Sequence, residues 1–304
     1  MNERDALRLL ADDLPHAGDD CAVVDDLVLT TDMLHASTDF PGGTTSYTVG
    51  WRSVGVSLSD LAAMGASPIG ALAAYAPPSL EAEELSAFVR GAREVCERVG
   101  TEYVGGDLDT HRELTVATTA VGRAADPIRR SGAAPGDVVC VTGEWGRTAA
   151  ALRLFEAGET ERANDLFRFL PRVAAGEALA PDATAMMDSS DGLARSLHQL
   201  AEASDCGFRV DADAVPIHPA VVELFEDPGE RFERAVHVGE DFELTCTLPE
   251  DALPAARRRC PVPLVRIGRV VDADDGVTVD DHPGSFDDEE PGDPRPLLDR
   301  GYTH

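Results

Sequence analysis

Lysine is absent from this 304-residue chain, so all 26 basic residues are arginines, set against 56 aspartates and glutamates for a formal charge of −30. That absence excludes chemistry. A Walker-type phosphate loop needs its lysine, and Schiff-base catalysis needs an amine. The deficit of positive charge also removes a class of partner, because DNA or RNA is held through a basic face that this chain does not have. Paired cysteines are missing too: Cys21, Cys96, Cys140, Cys206, Cys246 and Cys260 are scattered with no Cys-x-x-Cys, which predicts buried thiols rather than a disulfide frame or a zinc site. The longest uncharged stretch, Leu61 to Leu80, is broken by Gly65, Pro68, Gly70, Pro77 and Pro78. It reads as a helix end, a turn and a buried strand, so no membrane partner is expected. The start Met1-Asn2-Glu3-Arg4-Asp5 has neither the basic opening nor the apolar centre of a signal peptide. An acidic, lysine-free surface suits concentrated salt, where screening removes most self-repulsion, and a halophilic, cytoplasmic protein is expected.

What is present is enough apolar material, 43% of residues, for two ordinary domains. Short β-branched runs alternate with helically spaced segments, predicting an α/β (α+β) protein. Leu27 to Thr31 reads as a strand ending at Asp32. Trp51, Val54, Leu58, Leu61 and Met64 mark one helix; Leu85, Phe88, Val89, Ala92, Cys96 and Val99 mark a second, stopped by Gly100. Strands are expected at Glu102 to Val104 and Leu114 to Val121. The turn Arg130 to Asp137 then divides the chain into domains 1–130 and 131–304. The second half opens with a strand, Val138 to Thr142, and a glycine turn at Gly143 and Gly146, whose spacing is not that of a dinucleotide-binding unit. A buried strand, Ala185 to Met187, reaches Asp188, followed by a helix through Leu193, Leu197 and Leu200. Further strands are expected at Ala235 to Val238, Phe242 to Thr247 and Leu264 to Val271, and a solvated loop from Asp272 to Pro296.

In so acidic a chain only carboxylates placed beside apolar runs are informative. Five segments qualify: Gly18-Asp19-Asp20, Thr30-Thr31-Asp32, Leu58-Ser59-Asp60, Gly105-Gly106-Asp107 and Asp188-Ser189-Ser190-Asp191. A carboxylate held there is destabilised unless paired or bound to a cation. Few arginines lie nearby, and aspartates with Thr and Ser hydroxyls suit a hard cation such as Mg²⁺. The competing reading treats Asp60 and Asp191 as helix caps and Asp32 and Asp107 as turn residues. Trp145 and Phe242 are expected in the core, and His35, His111, His198 and His218 lack metal-ligand spacing.

Together with Asp19-Asp20-Cys21-Ala22-Val23-Val24, the run Val56-Ser57-Leu58-Ser59-Asp60-Leu61-Ala62-Ala63-Met64-Gly65-Ala66, Arg130 to Asp137, Asp188-Ser189-Ser190-Asp191-Gly192-Leu193 and Gly239-Glu240-Asp241-Phe242-Glu243-Leu244, these segments resemble the thiamine-monophosphate kinases. They occur in that family's order, within the wider superfamily of aminoimidazole-ribonucleotide-synthetase-like ATP enzymes. The resemblance implies an N-terminal sheet domain that dimerises and a C-terminal α/β domain. It implies transfer of a phosphoryl group from ATP to thiamine phosphate, aided by several Mg²⁺ ions. Carried over by motif, Asp20, Thr30, Thr31, Asp32, Asp60, Asp107, Asp188 and Asp191 would hold metal, and Gly106, Asp107, Arg130 and Ser190 would contact ATP. Asp39, Glu240 and Tyr302 would face thiamine phosphate. No general base is expected. Two positions depart from the family: Asp39 precedes Phe40 where histidine is usual, and Leu108-Asp109 replaces two threonines. A selenophosphate-synthetase-like or aminoimidazole-ribonucleotide-synthetase-like activity, or a non-catalytic acidic cation-binding protein, are the alternatives.

Overall fold

The computed structural model describes residues 18–280 and 294–301, and in it two sheets share one long central helix. The first sheet contains β1 (Ala22–Val24), β2 (Leu27–His35), β3 (Ser67–Ala76), β4 (Tyr103–Leu108) and β5 (Thr115–Arg123), in the order β1-β2-β5-β3-β4. All neighbours are antiparallel except β3 and β4. After a short α1 (Ala36–Asp39), α2 (Ser46–Ala63) and α3 (Ala82–Arg98) cover one face. Their apolar positions lock onto β2, β3 and β5 through Val28, Ala71 and Ala120. The two helices touch backbone to backbone: a Cβ on Gly50 would lie 2.0 Å from the Phe88 carbonyl oxygen, and one on Gly91 2.0 Å from that of Tyr47. Only glycine permits that approach.

The second sheet follows the turn at 130–137. It comprises β6 (Val138–Thr142), β7 (Ala185–Asp188), β8 (Gly207–Asp211), β9 (Leu244–Leu248), β10 (Leu264–Val271), β11 (Val277–Asp280) and β12 (Arg295–Pro296), ordered β12-β11-β8-β10-β6-β9-β7. Around it lie α4 (Arg147–Glu156), α5 (Thr160–Phe167), α6 (Val173–Leu179), α7 (Leu193–Ser204), α8 (Pro219–Leu224), α9 (Pro228–His237) and α10 (Leu253–Arg259). Strands β6, β7 and β9 are buried throughout. One face packs on Leu193, Leu197, Leu200 and Phe232 of α7 and α9. The other packs on Leu179 of α6 and Ala256 of α10, and also on Ala62 and Ala63 of α2. The end of α2 is thus wedged into the second core. Leu58 and Leu61, both fully enclosed in the first core, contribute about 1.5–3 kcal/mol each to holding α2 on its own sheet.

The expected helices, the strand before Asp188, the turn between the halves and the six buried thiols are all present, and Trp145 and Phe242 lie in the core. Strand β6 has only antiparallel neighbours, unlike a dinucleotide-binding unit. Four expectations need correction. Residues Ala235 to Val238 are not a strand: α9 extends to His237, started by Asp227, which accepts the Glu230 amide at 2.8 Å, and by Pro228 in the first turn. Strand β9 begins at Leu244 rather than Phe242, because Glu240 and Phe242 take left-handed backbone angles. Strand β2 continues past Asp32 to His35, so Asp32 is not a turn residue, and Asp107 likewise lies within β4. The expected loop after Asp272 contains β11, which pairs in parallel with the unforeseen β8. No helix of the described residues is long and apolar enough to cross a membrane.

Candidate active site

Strand β2 points alternate side chains to opposite faces, so Thr30 and Asp32 share the face covered by helices while Thr31 and Met33 lie on the uncovered one. On α2, Ser53, Ser57 and Asp60 recur at spacings of four and three, drawing one polar stripe along an otherwise apolar helix. The stripe meets β2 directly. The Ser57 hydroxyl donates to Asp32 Oδ2 at 2.5 Å, and the Thr30 hydroxyl donates to Asp60 Oδ2 at 2.5 Å. Asp188, the last residue of β7, comes from the second domain and accepts the Ser59 hydroxyl at 2.5 Å. Asp20 enters just before β1. Asp20, Asp60 and Asp188 each place a carboxylate oxygen within 4.8 Å of the others.

Such crowding opposes ionisation. Burial, then the charge of Asp20, pushes Asp188 up to about 8, against the smaller opposing effect of the Ser59 hydrogen bond. Asp60 is raised well above the carboxylate range by burial and by the charges of Asp32, Asp188 and Asp20, and Asp32 is raised by burial. The cation facing the group is Arg130, whose Nη2 donates to Asp20 Oδ1 at 2.7 Å. Burial lowers the Arg130 pKa, but the nearby Asp20, Asp188 and Asp60 outweigh it and the net shift is upward. Asp20 Oδ2 and the Ser189 hydroxyl are buried without a hydrogen-bond partner. Four carboxylates, three of them held by hydroxyls, with the Arg130 guanidinium and an unsatisfied oxygen on the fourth, fit a hard divalent cation.

Of the residues expected to hold metal, Asp20, Thr30, Asp32, Asp60 and Asp188 converge, and Arg130 joins them. The side chains of Thr31 and Asp107 do not. Thr31 donates to the Thr118 carbonyl at 2.8 Å, and Asp107 shares the register row Met33, Ala117, Ala74 on the uncovered face. Gly106 is in the row of Asp32, three strands away, which strand spacing makes about 14 Å. Asp191 is half-buried, 4.0 Å from Arg195. Ser190 is exposed, and its carbonyl accepts the Glu240 amide at 2.6 Å.

Beyond Ser190 the charges are paired. Glu240 accepts from Arg52 Nη2 at 2.7 Å, and its own carbonyl accepts the Thr148 hydroxyl at 2.7 Å. Asp241 accepts the Gly146 and Thr148 amides at 2.5 and 2.8 Å, satisfying the start of α4; burial pushes its pKa up to about 6 against these bonds. Arg172 grips Glu243 with Nε, at 2.7 Å, and Nη2, while the Thr142 hydroxyl adds a third bond at 2.7 Å. Asp39 is buried and accepts the His35 amide at 2.7 Å and the Thr38 hydroxyl at 2.6 Å. Tyr302 lies outside the described residues, but the adjacent Gly301 packs on the Asp191 carbonyl. Sequence reasoning missed Arg52, Ser57 and Ser59; the signal was polar residues at helical spacing among apolar ones.

Residues 18–124 match the N-terminal domain, and residues 134–281 the C-terminal domain, of the AIR synthase related proteins. The chain is 57% identical to the thiamine-monophosphate kinase of Halobacterium salinarum over the full length of both. A crystal structure of thiamine-monophosphate kinase from Stenotrophomonas maltophilia K279a is 33% identical, with a TM-score of 0.78 over 92% of this chain and 96% of that one. A solved structure described as AaThiL complexed with AMPPCP and TMP is 28% identical, with a TM-score of 0.82 over 91% and 93%. A site whose acidic groups outnumber its cations, on a two-sheet frame matched along its whole length, places the chain in the thiamine-monophosphate kinase family of AIR synthase related proteins.

Proposed function

We propose that this protein transfers the γ-phosphoryl group of ATP to thiamine phosphate, giving thiamine diphosphate and ADP. The observation that carries this reading is the convergence of Asp20, Asp60 and Asp188, with Asp32 alongside, beside Arg130. Such a group lacks positive charge, and phosphoryl transfer requires it. Asp20, Thr30, Asp32, Asp60 and Asp188 would hold Mg²⁺ with Asp191 beside them, whereas Thr31 and Asp107, whose side chains lie on the other face of the sheet, would need a separate ion. When bound, Mg²⁺ neutralises phosphate charge and aligns the reacting oxygens. Arg130, now on Asp20, offers a planar fork to a phosphate, and Gly106, Asp107 and Ser190 would complete the ATP contacts. The acceptor is a phosphate monoester whose second pKa is about 6, so its attacking oxygen is already anionic near neutral pH and no general base is needed. Asp39, Glu240 and Tyr302 would bind thiamine phosphate.

In the same reading, residues 1–130 carry most of the metal and nucleotide contacts, residues 131–304 add Asp188, Ser190 and Asp191 and complete the substrate side, and the protein works in salt-rich cytoplasm as a homodimer. The dimer is supported by the apolar residues Met33, Leu72 and Val104, all exposed on the uncovered face of the first sheet. Light scattering in concentrated salt should find two chains per particle for the wild type and one for Met33→Glu; a wild-type monomer would refute the dimer. The activity is tested by supplying ATP, Mg²⁺ and, in separate reactions, thiamine phosphate, free thiamine, selenide or formylglycinamidine ribonucleotide. Thiamine diphosphate should form from thiamine phosphate alone among these acceptors. Failure with thiamine phosphate in molar salt, or turnover with another acceptor instead, would remove the kinase reading.

A further inference from the structure

Arg52 is the one charged residue in the eleven-residue stretch Val49 to Ser59 of α2, and it is 1% exposed. Its guanidinium lies 3.6 Å over the Phe167 ring, with the Phe169 and Phe242 rings at 5.3 and 5.7 Å. Nη1 donates to the Phe167 carbonyl at 2.5 Å, which fixes the plane of the fork, and Nη2 reaches Glu240 Oε2 at 2.7 Å. An apolar side chain would hold helix and core together without the desolvation of a buried cation. The orientation of the fork towards one carboxylate calls for a different explanation.

Glu240 is the residue so oriented. Its backbone is left-handed at φ +65° and is pinned on both sides, by Ser190 and Thr148. A Cβ on Gly239 would lie 2.1 Å from the Ser190 carbonyl oxygen, so this segment rests directly on the loop joining Asp188 to Asp191. The Glu240 side chain keeps 12% exposure. On α2, Arg52 and Asp60 are eight residues apart, about 12 Å of rigid helix. One element therefore carries both a carboxylate of the acidic cluster and the cation that aims Glu240.

We infer that Arg52 is a positioning residue for thiamine phosphate: it fixes the Glu240 carboxylate in one orientation, at a distance from the acidic cluster set by α2. This rests on the reading of Glu240 as a substrate contact. Lysine is not equivalent, because a single ammonium has no planar fork to span the Phe167 carbonyl and Glu240 together. Arg52 touches no reacting atom, so its effect belongs in substrate affinity.

The test measures KM for thiamine phosphate and for ATP in the wild type, Arg52→Lys, Glu240→Gln and the double exchange Arg52→Met with Glu240→Gln, which removes both buried charges together and protects the fold. Expected are a rise of about tenfold in the thiamine phosphate KM for Glu240→Gln and about threefold or more for Arg52→Lys, with the ATP KM within about twofold. The double exchange should be no worse than Glu240→Gln alone. If Glu240→Gln leaves KM unchanged, the substrate reading and this inference fail together. If Glu240→Gln raises it while Arg52→Lys does not, only the inference fails. It also fails if Arg52→Lys raises both KM values alike, or if the double exchange is clearly worse than Glu240→Gln.

Discussion

Two buried charged clusters meet α2, one through Asp60 and one through Arg52, and they are built on opposite principles. Around Asp20, Asp32, Asp60 and Asp188 the negative charges face Arg130, and among the described residues one buried carboxylate oxygen, Asp20 Oδ2, has no hydrogen-bond partner. Around Glu240, Asp241 and Glu243 the negative charges meet Arg52, Arg172 and the start of α4. Both clusters are desolvated, so burial does not distinguish them. Charge balance does: the second is balanced within the protein itself, a frame that holds Glu240 in place, whereas the first is short of positive charge and fits an outside cation.

The sharpest break of that comparison is Asp60→Asn. Loss of one carboxylate from the unbalanced cluster should lower kcat by about a thousandfold or more, worth roughly 4 kcal/mol of barrier. In metal-free protein the same change should raise stability, because it relieves repulsion; a parallel loss of stability in denaturant titration would contradict the distinction. Glu243→Gln should do the reverse. It strands Arg172, and unfolding in denaturant should show a loss of about 3–5 kcal/mol, while the molecules that remain folded keep their turnover. Next in size, Mg²⁺ at about a hundred times its dissociation constant should stabilise the wild type by about 2.7 kcal/mol. Asp188→Asn should lose most of that gain, and an equal gain in both proteins would move the metal elsewhere.

The smallest effect is on pH dependence. Burial, with the charge of Asp20, raises Asp188 to about 8, so the protonated acid stabilises the metal-free fold at low pH. That contribution is lost as pH rises from the ordinary carboxylate range through about 8. Metal binding requires the ionised form, so Mg²⁺ affinity in calorimetry should increase between pH 6 and 8, with proton release visible as a dependence of heat on buffer. A flat affinity profile would mean that Asp188 is ionised before metal arrives.

Much of this was legible in the sequence, for physical reasons. Carboxylates inserted into apolar runs are costly, and so Asp20, Asp32, Asp60 and Asp188 stood out although the chain is acidic throughout. Helices α2 and α3 were visible because apolar residues recur at three and four. By contrast, Ala235 to Val238 is too short to separate strand from helix; the deciding signal, Asp227-Pro228, lies seven or eight residues upstream. Strand β8 carries Arg209 and Asp211 between its buried residues and did not stand out as an apolar run. Grouping Thr31 with Thr30 and Asp32 followed the motif, whereas the two-residue period of a strand sends it to the other face. Arg52 was a lone charge in an apolar helix and drew no attention because its partner is 188 residues away.

The uncompensated aspartates are expected to hold a divalent cation between two phosphorylated reactants. Anomalous diffraction from crystals grown with Mn²⁺, a non-hydrolysable ATP analogue and thiamine phosphate tests it most directly. The expected result is manganese density among Asp20, Asp60 and Asp188, with Arg130 turned from Asp20 towards a phosphate. Nucleotide bound with no manganese there, and Arg130 still on Asp20, would contradict it.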